Sequence, residues 1–228
     1  MMFDLQSALN QSEFVCFLTG AGVSTASGIP GFRSATGVYS DHPEYSLSVD
    51  NLRAHPAAFH DFMVNNMYYP DARPNVIHQR MATIANRKGT VVTQNIDGLD
   101  RQAGTNHLVE FHGNEYDLYC EQCGQQFTLP EYKQSYTHQN DGGNIRPRIV
   151  LYGEPIPTTT VQAAITAVTR ADLLVVVGTS LVVYPFAGLL KYASHTASIV
   201  AVNKTPLPLP AGAHMVTGDA TAVFAQLH

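Results

Sequence analysis

The chain has 228 residues, a formal net charge of −5 at pH 7 and a hydrophobic content of 45%, which is typical of a globular protein with one sizeable core. The charge balance gives no basic footprint, so we expect no direct nucleic-acid partner. No apolar run approaches the ~18 residues of a membrane helix, and the first residues lack the regions of a signal peptide, so we expect no membrane partner. Three cysteines are too few for a disulfide framework and favour a cytoplasmic protein.

Short apolar runs predict the strands of a sheet that is buried on both faces. Val, Ile and Leu crowd these runs without alternating with polar residues, as in parallel sheets. The runs cover residues 14–19, 90–93, 108–111, 149–152, 173–178, 198–203 and 214–217. Helical patterns occupy residues 76–86, 158–170, 185–193 and 220–227. Strands that alternate with helices predict an α/β fold with a doubly wound parallel sheet.

Two segments interrupt this alternation and predict a second, smaller lobe. Residues 35–74 have the pattern of an irregular helical module with four prolines, and residues 114–148 are polar and contain a Cys-x-x-Cys pair. We therefore expect the main domain to comprise residues 1–34, 75–113 and 149–228. Ligands of such folds bind at the carboxyl ends of the strands, so a cleft between the lobes is the expected site.

A glycine turn follows the first predicted strand. Neither glycine of Gly20-Ala21-Gly22 has a side chain to block a ligand, and the backbone N–H groups of such turns bind pyrophosphate. The turn is not the usual dinucleotide-binding fingerprint, because Thr25 stands where the third glycine belongs and no acidic residue caps a second strand about 20 residues later. A tight turn without a ligand is the alternative.

Polar side chains follow other predicted strands, where an α/β fold places its reacting groups. Asn95 and Asp97 come after residues 90–93, and capping of the next helix is their alternative role. His112 ends a strand before Gly113 and is a candidate base near neutral pH, unless it is purely structural. Candidates for contacts with a nucleotide's ribose or phosphates are Gly178, Thr179, Ser180, Asn203 and Lys204.

The motifs of the chain occur in one order over nearly its whole length. They are Gly-Ala-Gly-x-Ser, Gly-Ile-Pro-x-Phe-Arg-Ser, Thr-Gln-Asn-Ile-Asp-Gly-Leu, Phe-His-Gly, Cys-x-x-Cys, Gly-Gly-x-x-Arg-Pro, Tyr-Gly-Glu, Gly-Thr-Ser and Val-Asn-Lys. With this set the chain resembles the sirtuins, the NAD-dependent protein deacylases, and most of all their small bacterial members. The resemblance implies a Rossmann-like NAD-binding domain with a smaller lobe made of a helical module, residues 35–74, and a zinc-ribbon-like module, residues 114–148.

The resemblance also implies a reaction, NAD-dependent protein lysine deacetylation. In sirtuins the acetyl-lysine carbonyl oxygen attacks C1′ of the nicotinamide ribose and expels nicotinamide. A histidine then deprotonates a ribose hydroxyl, which attacks the alkylimidate, so that the acetyl group ends on ADP-ribose and NAD is consumed. The substrate peptide would pair as an extended strand with residues 151–154 and 179–184. A protein ADP-ribosyltransferase and a non-catalytic NAD- or ADP-ribose-binding scaffold are the alternatives.

Individual roles follow from the same resemblance. His112 is the base, and Asn95 and Asp97 orient the ribose and the nicotinamide amide. Phe32 shields the reacting carbon from water, and Arg33 lines the same cofactor loop. The other expected contacts with NAD are Gly20, Ala21, Gly22, Thr25, Gln94, Ile96, Gly178, Thr179, Ser180, Asn203, Lys204 and Asp219.

Some positions depart from the family pattern. Gly31 stands where Asp is usual, which we expect to alter cofactor affinity. Asp100 replaces the usual His after Asp-Gly-Leu, and its charge would raise the basicity of a histidine or change peptide preference. Residues 60–66 lack the Tyr and Arg pair of relatives that remove succinyl or malonyl groups, so we expect an apolar pocket for acetyl or longer apolar chains.

The zinc module departs most from the family pattern. Only Cys120 and Cys123 remain of the usual four cysteines. When the chain is aligned on Gly-Gly-x-x-Arg-Pro, the second pair falls at His138 and Asp141, which are also legitimate zinc ligands with the same spacing. Two possibilities stay open, a Cys₂-His-Asp zinc site and a module that packing holds without metal.

Overall fold

The computed structural model describes residues 3–31 and 44–228. No helix within these residues is long and apolar enough to cross a membrane. In chain order the strands are β1 Val15–Thr19, β2 Gly89–Thr93, β3 Leu108–Glu110, β4 Gly113–Cys120, β5 Gln126–Phe127, β6 Ile145–Ile149, β7 Leu173–Val177, β8 Ser198–Asn203 and β9 His214–Thr217.

The α-helices of the described residues are α1 Leu5–Gln11, α2 Val49–Ala54, α3 Pro56–Asn66, α4 Val76–Lys88, α5 Leu99–Gln102, α6 Leu129–Gln134, α7 Thr158–Arg170 and α8 Ala220–Ala225. Short 3₁₀ helices cover Ala21–Val23, Thr25–Ser27, Glu44–Leu47 and Phe186–Tyr192. The ends of α4 show the local chemistry that fixes such bounds. Asn75 and His78 form a capping box at its start, and Gly89 follows its last residue.

The larger sheet has six strands in the order β3-β2-β1-β7-β8-β9, and all neighbouring strands are parallel. Alternate residues of each strand face opposite apolar layers. Phe17 of β1 packs in one layer with α1, α4 and α8, while Cys16 and Leu18 pack in the other with α7. Two covered faces explain the apolar runs, so the predicted doubly wound α/β fold is confirmed.

The smaller sheet is antiparallel and has the order β5-β4-β6. Its apolar side chains share a core with α2, α3 and α6. Phe59 and Met63 of α3, Leu118 of β4 and Tyr132 of α6 belong to that core and are almost fully buried. Helices α2 and α3 therefore pack in one core with β4, β6 and α6.

The sequence-based strand bounds agree with the main sheet within one residue, with one exception. The strand predicted at residues 149–152 is wrong, because β6 ends at Ile149 and belongs to the small sheet. Ile149 and Leu151 are apolar because they pack into the core around α3. Beyond β6, Tyr152 forms an isolated parallel bridge with Ser48 and does not extend a strand of the main sheet.

Candidate active site

A cavity of about 550 Å³ lies at the carboxyl ends of the main-sheet strands. Parallel strands present these ends at one edge, which brings together residues from distant parts of the chain. Gly31, which stands where the motif usually has Asp, also lines the cavity. The predicted site residues that line it are Ala21, Gly22, Thr25, Gln94, Asn95, Ile96, His112, Gly178, Thr179, Ser180, Asn203, Lys204 and Asp219.

Four of the predicted cofactor-site residues do not line this cavity or cannot be described. Gly20 packs beneath it, where an added Cβ would lie 2.3 Å from Nε2 of Gln94. Asp97 lines a smaller cavity next to it. Phe32 and Arg33 lie outside the described residues, so their roles stay predictions.

The glycine turn after β1 packs directly on the end of β7. The N–H of Gly22 donates to Gly178 O at 2.7 Å, and the N–H of Gly20 donates to Val177 O at 3.2 Å. An added Cβ on Gly22 would lie 2.7 Å from Cα of Gly178, and Gly178 itself has a φ of +58°. These two N–H groups are thus paired within the protein, and the glycines allow two strand ends to approach closely.

The motif after β2 is held by a network of side-chain hydrogen bonds. Asn95 Nδ2 donates to Gly20 O at 3.1 Å and to Ser24 Oγ at 3.3 Å. Ser24 Oγ in turn donates to Asp97 Oδ2 at 2.6 Å. Sequence reasoning did not assign Ser24, although its position two residues after the second glycine was the available signal. The network connects the glycine turn of β1 to the polar end of β2.

Asp97 also caps the short helix α5, because its Oδ1 accepts the Leu99 N–H at 2.9 Å. One carboxylate thus bonds both to the glycine-turn residue Ser24 and to the start of α5. Burial raises the pKa of Asp97, while the bonds from Ser24 and Leu99 act to lower it.

His112 points one ring nitrogen at a backbone carbonyl. Its Nδ1 lies 3.0 Å from Gln94 O, and since a carbonyl can only accept, Nδ1 carries the proton. In the neutral ring Nε2 then keeps its lone pair and can accept a proton. Burial lowers the pKa of His112, and the bond to Gln94 opposes that shift. The imidazole is therefore neutral near pH 7, as a general base requires.

Asp100 lies behind the site and not in it. Its side chain is buried and lines neither cavity, so it does not face a substrate peptide. Burial, and next the negative charge of Asp97, raises the pKa of Asp100 to about 7. The expected effect on peptide preference thus has no direct contact to act through.

Another buried carboxyl, Glu115, was not predicted to be near the site. It lines the smaller cavity together with Asp97, Ser24, Asn95 and Ile96. Burial, and next the charge of Asp97, raises the pKa of Glu115 well above its usual value. Glu115 belongs to a segment whose polar sequence gave no signal of a buried strand.

The far end of the cleft is formed by the ends of β7, β8 and β9. Gln94 Nε2 donates to Thr179 Oγ1 at 2.7 Å, which joins this end to the β2 motif. Asp219 Oδ1 accepts the Thr221 N–H at 2.8 Å and so caps α8. Lys204 also lines this end, and its ammonium group could pair with a phosphate.

The mouth of the cleft is bordered by two loops with exposed apolar side chains. Tyr184 is 70% exposed and Val182 is 56% exposed, both far more than core residues. Opposite them, Glu154 Oε1 accepts from Arg146 Nη1 at 2.6 Å and its Oε2 accepts the Leu151 N–H at 2.9 Å. This ion pair fixes the loop that follows β6.

The four predicted metal ligands come together in the small sheet. One ligand atom each from Cys120, Cys123, His138 and Asp141 lies within 4.8 Å of the others. His138 Nδ1 is 3.0 Å from Asp141 Oδ1, and Cys123 Sγ is 3.5 Å from His138 Nδ1. Gly143 makes room, since an added Cβ would lie 2.6 Å from Cys120 Sγ. This donor set and spacing fit a tetrahedral zinc ion.

Comparisons with known proteins agree on one family. The protein-family sequence model described as "Sir2 family" matches residues 20–185. The chain is 48% identical to an NAD-dependent protein deacetylase of Lactiplantibacillus plantarum, over 96% of this chain and 95% of that protein. It is 47% identical to an NAD-dependent protein deacetylase of Listeria monocytogenes, over 99% of this chain and 100% of that protein.

Solved structures give the same result. A Sir2 structure with a p53 peptide and NAD⁺ has a TM-score of 0.85 and 33% identity, over 96% of this chain and 94% of that chain. A Sir2 structure with a propionylated peptide has a TM-score of 0.85 and 32% identity, with the same coverage of both chains.

Proposed function

The chain belongs to the Sir2 family and is an NAD-dependent protein deacetylase, and we propose that the cleft at the carboxyl ends of the main sheet performs this reaction. The observation that carries the proposal is the position and hydrogen bonding of His112. It is a neutral imidazole in the wall of the cleft, and its Nδ1 proton is fixed on Gln94 O, so Nε2 is available.

His112 acts as the general base. When bound, NAD would supply a ribose carbon that is electrophilic toward the acetyl-lysine oxygen, with nicotinamide as the leaving group. His112 Nε2 then accepts the proton of a ribose hydroxyl. A lowered pKa favours this role because the ring is unprotonated at neutral pH.

Asn95 and Asp97 orient the nicotinamide ribose and the carboxamide. Their bonds to Ser24 and Gly20 fix both side chains before a ligand arrives, which is the preorganisation that a binding site needs. Ala21, Gly22, Thr25, Gln94 and Ile96 complete this half of the NAD site, with Gly20 beneath them. Phe32 and Arg33 are proposed from the family motif alone.

The adenosine half of NAD binds at the ends of β7, β8 and β9. Thr179, Ser180 and Asn203 offer hydroxyl and amide groups there, and Lys204 offers a cation. Gly178 and Asp219 line the same end of the cleft. Polar groups at neighbouring strand ends are the usual nucleotide-binding arrangement of this fold class.

The protein substrate binds as an extended peptide between residues 151–154 and 179–184. The exposed side chain of Tyr184, which lines the cleft, supports this, as do peptide-bound Sir2 structures of the same fold. The lack of a Tyr and Arg pair in residues 60–66 supports an acetyl or longer apolar acyl group. The net charge of −5 supports the absence of a nucleic-acid partner, and the lack of a long apolar run supports the absence of a membrane partner. A set of only three cysteines supports a cytoplasmic location.

The chain divides into an NAD-binding domain and a small lobe at the boundaries that the sequence predicts. Residues 1–34, 75–113 and 149–228 form the NAD-binding domain, and residues 35–74 and 114–148 form the small lobe. The shared core of α3, β4 and α6 supports the pairing of the two inserted segments.

Cys120, Cys123, His138 and Asp141 bind zinc in that lobe. The proximity of their ligand atoms and the bond from the Gly143 N–H to Asp141 Oδ1 at 2.8 Å support a prepared site. The zinc would hold the loops of the small sheet together and would not take part in the reaction.

Mass spectrometry of an acetyl-lysine peptide, incubated with and without NAD, tests the function. We expect deacetylated peptide and O-acetyl-ADP-ribose only when NAD is present. Deacetylation without NAD would contradict the proposal. Radiolabel from NAD on protein without peptide deacetylation would instead indicate an ADP-ribosyltransferase, and cofactor binding without turnover of any acyl peptide would indicate a scaffold.

A further inference from the structure

A small cavity adjoins the inner wall of the active-site cleft. It shares Ala21, Asn95 and Ile96 with the cleft, and its volume of about 20 Å³ has room for one or two polar atoms. Two residues that carry carboxyl groups, Asp97 and Glu115, line it. A ligand in the cleft could therefore extend a small polar group into this space.

Glu115 is held in place by its backbone. Its N–H donates to Ile96 O at 2.9 Å, and its carbonyl oxygen accepts from Tyr68 Oη at 3.1 Å. The residue is only 1% exposed. Yet among residues 3–31 and 44–228 its carboxyl group has neither a hydrogen-bond partner nor a salt bridge, which is rare for a polar group so deeply buried. Such a group points to a missing partner in the cavity.

The surroundings of the two carboxyl groups favour different protonation states. Asp97 accepts hydrogen bonds from Ser24 Oγ and the Leu99 N–H, and these stabilise its negative charge. Glu115 receives no such bond, and burial, with the charge of Asp97 as a second cause, raises the pKa of its carboxyl group well above the usual value. The pair therefore presents one carboxylate that accepts and one carboxylic acid that donates.

We propose that Glu115 is a specificity-determining residue that donates a hydrogen bond to the carboxamide oxygen of the nicotinamide group, while Asp97 accepts from the carboxamide N–H. The inference rests on the proposed NAD site. A primary carboxamide carries one acceptor and one donor side by side, so it complements the acid–carboxylate pair. A nicotinic acid carboxylate would instead place a further negative charge beside Asp97.

The experiment measures nicotinamide binding directly, by ligand-observed NMR titration with saturating ADP-ribose in the rest of the cleft. Wild type should bind nicotinamide in preference to nicotinic acid. Glu115→Leu removes the donor at similar volume and should weaken nicotinamide binding about tenfold. Glu115→Gln keeps an N–H donor and should stay within about threefold of wild type.

Asp100→Asn is the matched control, since Asp100 is equally buried but lines neither cavity. It should leave nicotinamide affinity within about twofold, well below the tenfold loss of one hydrogen bond. Equal losses in Asp100→Asn and Glu115→Leu would indicate a general charge effect and would overturn the proposal.

Calorimetry with ADP-ribose alone distinguishes a failure of the proposed NAD site from a failure of the proposed role of Glu115. Wild type, Glu115→Leu and Glu115→Gln should all bind ADP-ribose equally, because it lacks nicotinamide. If wild type did not bind ADP-ribose, the NAD cleft itself would be refuted. If Glu115→Leu bound both ADP-ribose and nicotinamide as wild type does, only the role of Glu115 would be refuted.

Discussion

The cleft and the Cys-His-Asp cluster lie on two sheets of different size and burial. The cleft sits at the end of six parallel strands, and all five residues of both β1 and β7 are buried. The cluster sits on three strands, one of which, β5, has two residues. Cleft side chains are fixed by hydrogen bonds to the fold, whereas the cluster side chains mainly face one another. The cleft is thus built without a ligand, while we propose that the cluster is completed by a cation.

The largest expected effect comes from His112→Ala. Loss of the general base should lower kcat for deacetylation of an acetyl-lysine peptide by about 10²–10⁴-fold, while the midpoint of thermal unfolding changes little. His107→Ala is the control, since His107 is exposed and lies away from the cleft. An active His112→Ala variant would show that the chemistry does not depend on this imidazole.

Removal of the metal should affect stability and leave the chemistry of the cleft intact. We expect about one zinc per chain by elemental analysis, and none in Cys120→Ser/Cys123→Ser. A chelator should lower the unfolding midpoint of wild type, by about 2–4 °C for each kcal/mol lost at this size, and should not affect the double variant. Purified protein without zinc and with no response to the chelator would mean that packing alone holds the small sheet.

Gly22→Ala tests whether the glycine turn acts through close packing. The new Cβ would lie 2.7 Å from Cα of Gly178, so the ends of β1 and β7 must separate, at a cost of about 1–3 kcal/mol. We expect weaker ADP-ribose binding and a lower urea midpoint. Gly188→Ala is the control, because its nearest neighbours would be 3.6 Å away, an ordinary contact. Equal behaviour of the two variants would contradict the packing role.

The smallest expected effect is a shift in the pH profile. The pKa of His112 is lowered from its ordinary value of 6.5, with burial as the main cause. The neutral ring is the active base, so kcat/KM should be constant above that pKa and should fall as the pH drops through it. The acidic limb should therefore lie below pH 6.5. If the limb instead lay above pH 6.5 and disappeared only in His112→Ala, the pKa of His112 would be raised. That result would contradict the burial argument.

The sequence predicts the main sheet well because its strands are covered on both faces and are apolar throughout. It fails where a strand is buried but polar, as in β4, which contains the buried residues Asn114 and Glu115. Residues 149–152 were misassigned since their apolar side chains pack into the small core and not into the main sheet.

Single strand ends predict site residues because the topology brings those ends together. Contacts between distant elements are not visible in the same way. The bond from Ser24 to Asp97 joins residues 73 positions apart, and Glu115 reaches the cavity from the small sheet. Such pairings are fixed by packing between elements and leave no local pattern. The assignment of His138 and Asp141 as ligands depended on family spacing, which the cluster geometry supports.

The most direct test of the central claim is the stoichiometry of the reaction, with nicotinamide and deacetylated peptide quantified in the same samples over time. The account predicts one nicotinamide per lysine deacetylated in wild type, with peptide deacetylation lost in His112→Ala and retained in His107→Ala. Peptide deacetylation without matching nicotinamide, or an undiminished rate in His112→Ala, would contradict it.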